Sequence, residues 1–264
     1  MRLAGVDFTS SPSARKPVTV AHGVLDAGRL RVERVDELRS LDAFAAWLST
    51  PGPWLGAFDF PFGLPREFVE SNDLGASCAE VIAAVHARCA TRMQWRALID
   101  AWGNARPAGS KLLHRRTDRC GGVGSTSPLQ TRYVPVGLMY YEGVARLVAS
   151  GVSMPGLVAG DLSRVALEGY PRRLADALVG RRSYKNGAAP DRRDARARIV
   201  DALEAGAAGA PLQIGASLRE SLLADAAGDR LDAVLCLAQA ARAASREDRG
   251  LPVDVDPVEG WIVG

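Results

Sequence analysis

Cysteine and histidine are scarce, with four of the first and three of the second in 264 residues. Cys78, Cys89, Cys120 and Cys236 form no Cys-x-x-Cys pair, and a chain without that spacing offers no paired-thiolate zinc site. His86 and Cys89 stand three apart on an expected helix; with no second pair at zinc-site spacing, ordinary packing is the expectation there. The histidines are His22, His86 and His114, and no Gly-x-Ser-x-Gly segment occurs, so serine or cysteine hydrolase chemistry fits poorly. Long apolar runs are missing too. The best uncharged one, Ala233 to Ala241, falls far short of the ~20 residues that cross a bilayer. At the start of the chain Asp7 interrupts the apolar residues, so no secretory signal is expected. The expectation is a cytoplasmic protein with reduced cysteines and no membrane partner.

What is present is ordinary for a folded protein: 47% hydrophobic and 24% charged residues, with a net charge of +3. Disorder and fibrous repeats are excluded by that composition, and the length fits one or two domains. The charge is unevenly placed. Arg172 to Arg198 holds nine Arg/Lys against three Asp, and Asn104 to Tyr133 holds six against one, which leaves −8 on the remainder. Two basic segments on an acidic body suit phosphate binding, although solvated surface explains them equally well.

The first 60 residues read as strands with one helix. Arg2 to Phe8 is a short apolar run, and Thr9-Ser10-Ser11-Pro12 turns the chain. Val18 to Leu25 and Arg29 to Val35 are β-rich stretches around the hairpin turn Asp26-Ala27-Gly28. Leu41, Phe44, Ala45 and Leu48 have helical spacing, and Trp54 to Phe60 is a fourth strand stopped by Pro61-Phe62-Gly63-Leu64-Pro65. Ala79 to Trp102 has the composition of one long or two broken helices. Gly103 to Pro135 has no periodicity and predicts a long loop, a length usually tied to function. Val136 to Ala149 predicts a helix, and Ser163 to Tyr170 a fifth strand closed by Pro171. Arg172–Val179, Asp191–Ala205, Ser217–Ala226 and Asp229–Ser245 predict four final helices. The expectation is one α/β domain over residues 1–264: a five-stranded mixed sheet flanked by helices, with a helical and loop insertion at about 66–160.

Four places put acids beside apolar runs: Asp7, Asp59, Glu168, and the pair Asp229 and Asp232. Such acids cost desolvation unless they are paired, hydrogen-bonded or bound to a cation. Asp229 and Asp232, at i and i+3, share one helix face. Singly, each has a structural explanation at least as good. A strand-end Asp caps a turn, Glu168 pairs with an arginine such as Arg172, and Asp229 caps its helix.

Their order resembles the ribonuclease H-like core, in which the first strand is central and the fourth lies beside it, so that Asp7 and Asp59 would be neighbours. A late helix carrying Asp229-Arg230-Leu231-Asp232-Ala233 is similar to the final helix of RuvC-type resolvases. The closer resemblance is to domain-of-unknown-function family 429, predicted ribonuclease H-like nucleases. Gly5-Val6-Asp7, Asp59-Phe60-Pro61-Phe62-Gly63-Leu64-Pro65 and Glu168-Gly169-Tyr170-Pro171 carry it. So do Ser183-Tyr184-Lys185, Asp229-Arg230-Leu231-Asp232-Ala233 and Glu259-Gly260-Trp261-Ile262, in that order along nearly the whole chain.

The resemblance implies a metal-dependent nuclease acting on DNA or RNA. Hard carboxylate oxygens suit Mg²⁺ or Mn²⁺, and two ions about 3.5–4 Å apart serve an in-line displacement at phosphorus. In that reading Asp7 bridges, Asp59 joins it at one ion, and Asp232 completes the other, assisted by Asp229 or Glu168. Arg115, Arg116, Arg181 and Arg182 are candidates for phosphate contact, and Tyr184 and Lys185 for substrate contact. Two other readings stay open. One is a non-catalytic nucleic-acid-binding module of the same fold. The other is an actin-like or sugar-kinase-type nucleotide-binding protein, because Gly5-Val6-Asp7-Phe8-Thr9-Ser10 also resembles a first phosphate loop. That second type needs a further Gly-rich phosphate loop, and the Gly121-Gly122-Val123-Gly124 cluster follows no predicted strand.

Overall fold

The computed structural model describes residues 1–122 and 124–264. Strands β1 (Arg2–Asp7), β2 (Val18–Asp26) and β3 (Arg29–Leu38) are followed by helix α1 (Leu41–Leu48) and strand β4 (Trp54–Asp59). Helices α2 (Arg66–Ser71), α3 (Cys78–Arg88), α4 (Arg92–Asn104), α5 (Arg116–Arg119) and α6 (Val136–Ala149) come next. Strands β5 (Val152–Ser153) and β6 (Asp161–Glu168) precede α7 (Pro171–Val179) and α8 (Pro190–Glu204). Strand β7 (Leu212–Gln213), α9 (Ala216–Ala224) and α10 (Asp229–Ala244) complete the order. Local chemistry sets several boundaries. The Ser40 hydroxyl accepts from the Ala43 amide at 3.0 Å to start α1. Thr91 and Gln94 exchange side chain-to-backbone bonds in a capping box that splits α4 from α3.

Among the described residues the sheet has seven strands in the order β5-β6-β4-β1-β2-β3-β7. This corrects the expected five: β5 and β7 have two residues each, too short for an alternation to show. Strands β1 and β4 run parallel in the middle, β2 is antiparallel to both β1 and β3, and β6 is parallel to β4. The Gly103–Pro135 stretch also contains more structure than expected, namely α5 and a 3₁₀ turn at Cys120–Gly122.

Side chains alternate across the sheet and divide the core into two layers. Leu3, Leu55, Ala57, Val165 and Leu167 pack with residues of α7, α8 and α10. Val6, Phe8, Val20 and Phe58 pack on the other side with Phe44 of α1 and with α3, α4 and α6. The segment between β4 and β6 thus shares its apolar layer with the sheet. Helix α10 is buried along its length from Leu231 to Ala241, which explains a run that is apolar on every face. It lies directly on β1: a Cβ built on Gly5 would stand 2.1 Å from the Ala233 carbonyl and the Leu237 amide. Among the described residues no helix is long and apolar enough to cross a membrane.

Candidate metal centre

Strand register and parity bring two acids together. Asp7 and Asp59 end β1 and β4 and are direct partners in the parallel pair. Counting back by twos from them gives Gly5 and Leu3, and Ala57 and Leu55, which face α10. Both carboxylates therefore meet the first turn of α10, where Asp232 is fully buried. Carboxylate oxygens of Asp7, Asp59 and Asp232 all lie within 4.8 Å of one another, the one such cluster among the described residues. Burial raises the Asp59 carboxyl to about 6, with Glu168 adding to the rise and Lys185 and Lys16 opposing it. Burial raises Asp7 well above the ordinary range; Lys185 opposes this, and Asp229 and Asp59 add to it. Three desolvated acids outnumber the ammonium groups of Lys185 and Lys16 that oppose their shifts, and the excess negative charge favours a cation.

The 183–187 segment closes the centre. The buried Tyr184 hydroxyl donates to Asp232 Oδ1 at 2.7 Å, and the Lys185 ammonium pairs with Asp232 Oδ2. The segment is held from behind by Arg196, a buried guanidinium that donates to the carbonyls of Tyr184 at 2.8 Å and Leu223 at 3.0 Å. Gly228 precedes α10 at φ +83°, and a Cβ there would be 2.9 Å from Lys185 Cγ. Both its conformation and the closeness of Lys185 call for glycine. Tyr184 and Lys185 are thus bound to a site acid, a placement more specific than the expected substrate contact.

The remaining expected residues separate. Asp229, the first residue of α10, lies outside the three-acid cluster and meets Lys16 at 3.5 Å. Glu168 is directly paired in register with Phe58, so its side chain leaves the sheet on the face opposite Asp7 and Asp59. There Arg115 donates to both its oxygens, at 2.8 and 2.6 Å, and the Phe62 amide donates at 2.9 Å. Burial still holds the Glu168 carboxyl above its ordinary value against the pull of Arg115. Glu168 is therefore not one of the converging acids. Its arginine is Arg115, whereas Arg172 pairs with Asp176.

Arg115 is likewise not free for phosphate. It is 2% exposed and also binds Asp118, which is fully buried. Burial works against its charge, but Glu168 and Asp118 outweigh that and hold the guanidinium above its ordinary value. Arg116 is exposed and faces Asp254 at 3.5 Å. Arg181 and Arg182 are exposed and have no ion-pair partner among the described residues. His86 stacks on Tyr141 at 4.1 Å between ring centroids and donates from Nε2 to the Tyr141 carbonyl at 3.0 Å, a packing role.

Sequence reasoning missed Lys16, Asp118, Arg196 and Glu259. Glu259 accepts from the backbone amides of Arg66 and Arg116, at 2.9 and 2.8 Å, and so ties the tail to α2 and α5. Lys16, Arg196 and Glu259 act on Asp229, Tyr184 and Arg116, each at least 12 positions away, whereas Asp118 pairs with Arg115 only three positions off inside a stretch without periodicity.

Fold and site together define the class: an α/β protein with a mixed sheet and a buried three-aspartate centre under the start of its last long helix. In comparisons with protein-family models, curated proteins and solved structures, nothing matches this chain.

Proposed function

We propose that the protein is a metal-dependent phosphodiesterase of DNA or RNA with a ribonuclease H-like core, similar to domain-of-unknown-function family 429. The convergence of Asp7, Asp59 and Asp232 within 4.8 Å carries this reading. The central β1 with β4 beside it and the acid-bearing final helix agree with it. All three donors are hard oxygens, which suit Mg²⁺ or Mn²⁺, and the raised carboxyls of Asp7 and Asp59 fit a site built around a cation rather than around water.

Asp7, Asp59 and Asp232 would hold the ion. Such an ion, when bound, lowers the pKa of its water toward neutrality and neutralises charge at the phosphate. The chain's own residues orient and restrict. Tyr184 fixes the Asp232 carboxylate, and Lys185 places a positive charge at the mouth of the centre. Arg181 and Arg182, four and three positions before Lys185, offer exposed guanidinium groups to a phosphate backbone. With Glu168 engaged by Arg115, the carboxylate left to serve a second ion is Asp229, on release from Lys16.

The test is incubation with Mn²⁺ or Mg²⁺ and single-stranded, duplex and branched DNA and RNA. Cleavage of at least one substrate, abolished by Asp7→Asn and by chelation, is the expected result. No cleavage of any substrate, or an Asp7→Asn variant that cuts like wild type, overturns the reading. One observation favours a second reading, a non-catalytic nucleic-acid-binding module. The Lys185 ammonium on Asp232 already supplies one countercharge, and failure of the protein to bind Mn²⁺ would select this alternative.

A further inference from the structure

The cleft that contains Asp59 adjoins a second, arginine-walled cleft. Ile262 lines both, and the consecutive Arg172 and Arg173 contribute one to each. The second cleft is a cavity of about 210 Å³ lined by Arg173, Arg242, Arg246, Arg249, Trp261 and Gly264 among others; among the described residues no Asp or Glu side chain is in its wall, and the four arginines outnumber the one carboxylate that Gly264 carries in this chain. Arg246 is bound to Asp248 by two hydrogen bonds of 2.8 Å. Arg173, Arg242 and Arg249 have no ion-pair partner among the described residues. Three unpaired guanidinium groups around one concavity repel one another, and that repulsion is relieved when an anion enters. Guanidinium forks match phosphate oxygens bidentately. The half-buried Trp261 adds an aromatic wall, the surface on which an unpaired base stacks.

Along α10, Arg242 lies ten residues beyond Asp232, about 15 Å at the helical rise per residue. We propose that this cleft binds backbone phosphates of single-stranded nucleic acid, with a base against Trp261, on a strand that continues past Ile262 toward the aspartate centre. The ligand class rests on the phosphodiesterase reading; the positive charge and concavity of the cleft do not. A duplex is too wide to enter a cavity of this size, which selects a single strand.

The experiment measures affinity of a labelled single-stranded oligonucleotide in EDTA across a salt series, so that no cleavage intervenes. The triple variant Arg173→Ala, Arg242→Ala, Arg249→Ala should bind about tenfold more weakly at low salt. Its slope of log K against log salt should fall by about 2, at ~0.7 per lost phosphate contact. The corresponding triple Lys variant keeps the charges and should keep the slope, and thermal melts of both variants establish that they fold. Tryptophan quenching by the oligonucleotide should shrink in Trp261→Phe. Unchanged affinity and slope in the triple Ala variant overturn the proposal. So does an equal loss of duplex binding, or competition by inorganic phosphate as strong as by the oligonucleotide. The two readings fail separately. Absence of Mg²⁺-dependent cleavage with an intact salt-slope effect removes the phosphodiesterase and leaves the cleft. Cleavage with unaltered binding in the variants removes the cleft alone.

Discussion

Replacing Arg115 by methionine removes the single cation that serves two buried acids. Glu168 is 3% exposed and Asp118 is fully buried; Ser125 and the backbone amide of residue 115 would remain as donors to Asp118, and the Phe62 amide as donor to Glu168. Breaking a buried pair by deleting one partner costs about 3–5 kcal/mol, because the charge left behind stays desolvated. At about 2–4 °C per kcal/mol for a chain of this size, the melting temperature should fall by roughly 6–20 °C. Glu168→Gln is the sharper companion. It keeps an acceptor for Phe62 and leaves Arg115 its bond to Asp118, so about 1–3 kcal/mol is expected. Urea or thermal unfolding measures both, and titration of the folded variants with Mn²⁺ supplies the second axis. Since Glu168 leaves the sheet on the face away from Asp7 and Asp59, Mn²⁺ affinity should persist in Glu168→Gln. A Glu168→Gln protein as stable as wild type but unable to bind Mn²⁺ would refute the parity argument and return Glu168 to the ligand set.

The acid centre makes stability depend on pH in a defined direction. Burial raises Asp59 to about 6 and lifts Asp7 well above the ordinary carboxylate range. Their contribution to the cation-free fold is therefore complete below about pH 4 and is lost as pH rises, for Asp59 through about 6. Mn²⁺ binding needs both ionised, so its affinity should climb over the same window; melts in EDTA and in Mn²⁺ should diverge with rising pH, and parallel curves would contradict the assignment. Tyr184→Phe removes the 2.7 Å bond to Asp232 Oδ1 and should lower Mn²⁺ affinity about tenfold at a cost of about 1–2 kcal/mol in stability. A loss of stability with full affinity, read by calorimetric titration, would make Tyr184 a packing residue only.

Much of the frame is legible along the chain, because it rests on local rules. Asp26-Ala27-Gly28 marks the β2–β3 hairpin, and the four final helices lie within about two residues of their periodic stretches. The acids are legible as misfits beside apolar runs, but their partners are not. Arg115 and Glu168 are 53 positions apart and Lys16 and Asp229 are 213 apart. Nothing in a Gly- and Ser-rich loop distinguishes an arginine that will be buried from one that will meet solvent. Glu168 misleads for a related reason. Ending a strand places an acid at the right edge of the sheet, but which face it takes depends on its register with β4, and register is a property of two strands together.

Gly5-Val6-Asp7 combines both levels in three residues. Position 5 shares a face with position 7, so whatever packs over Gly5 passes beside Asp7. Any side chain at position 5 would meet α10 backbone, since a Cβ would stand 2.1 Å from both the Ala233 carbonyl and the Leu237 amide. The helix that settles there carries Asp232 one residue before Ala233, and its positive end favours the acids of its first turn. The glycine thus sets how close α10 lies to β1, and that closeness brings Asp232 to Asp7 and Asp59. The same residue that makes this motif look like a phosphate loop acts in this fold as a seat for a helix, and the acids converge because the seat is empty.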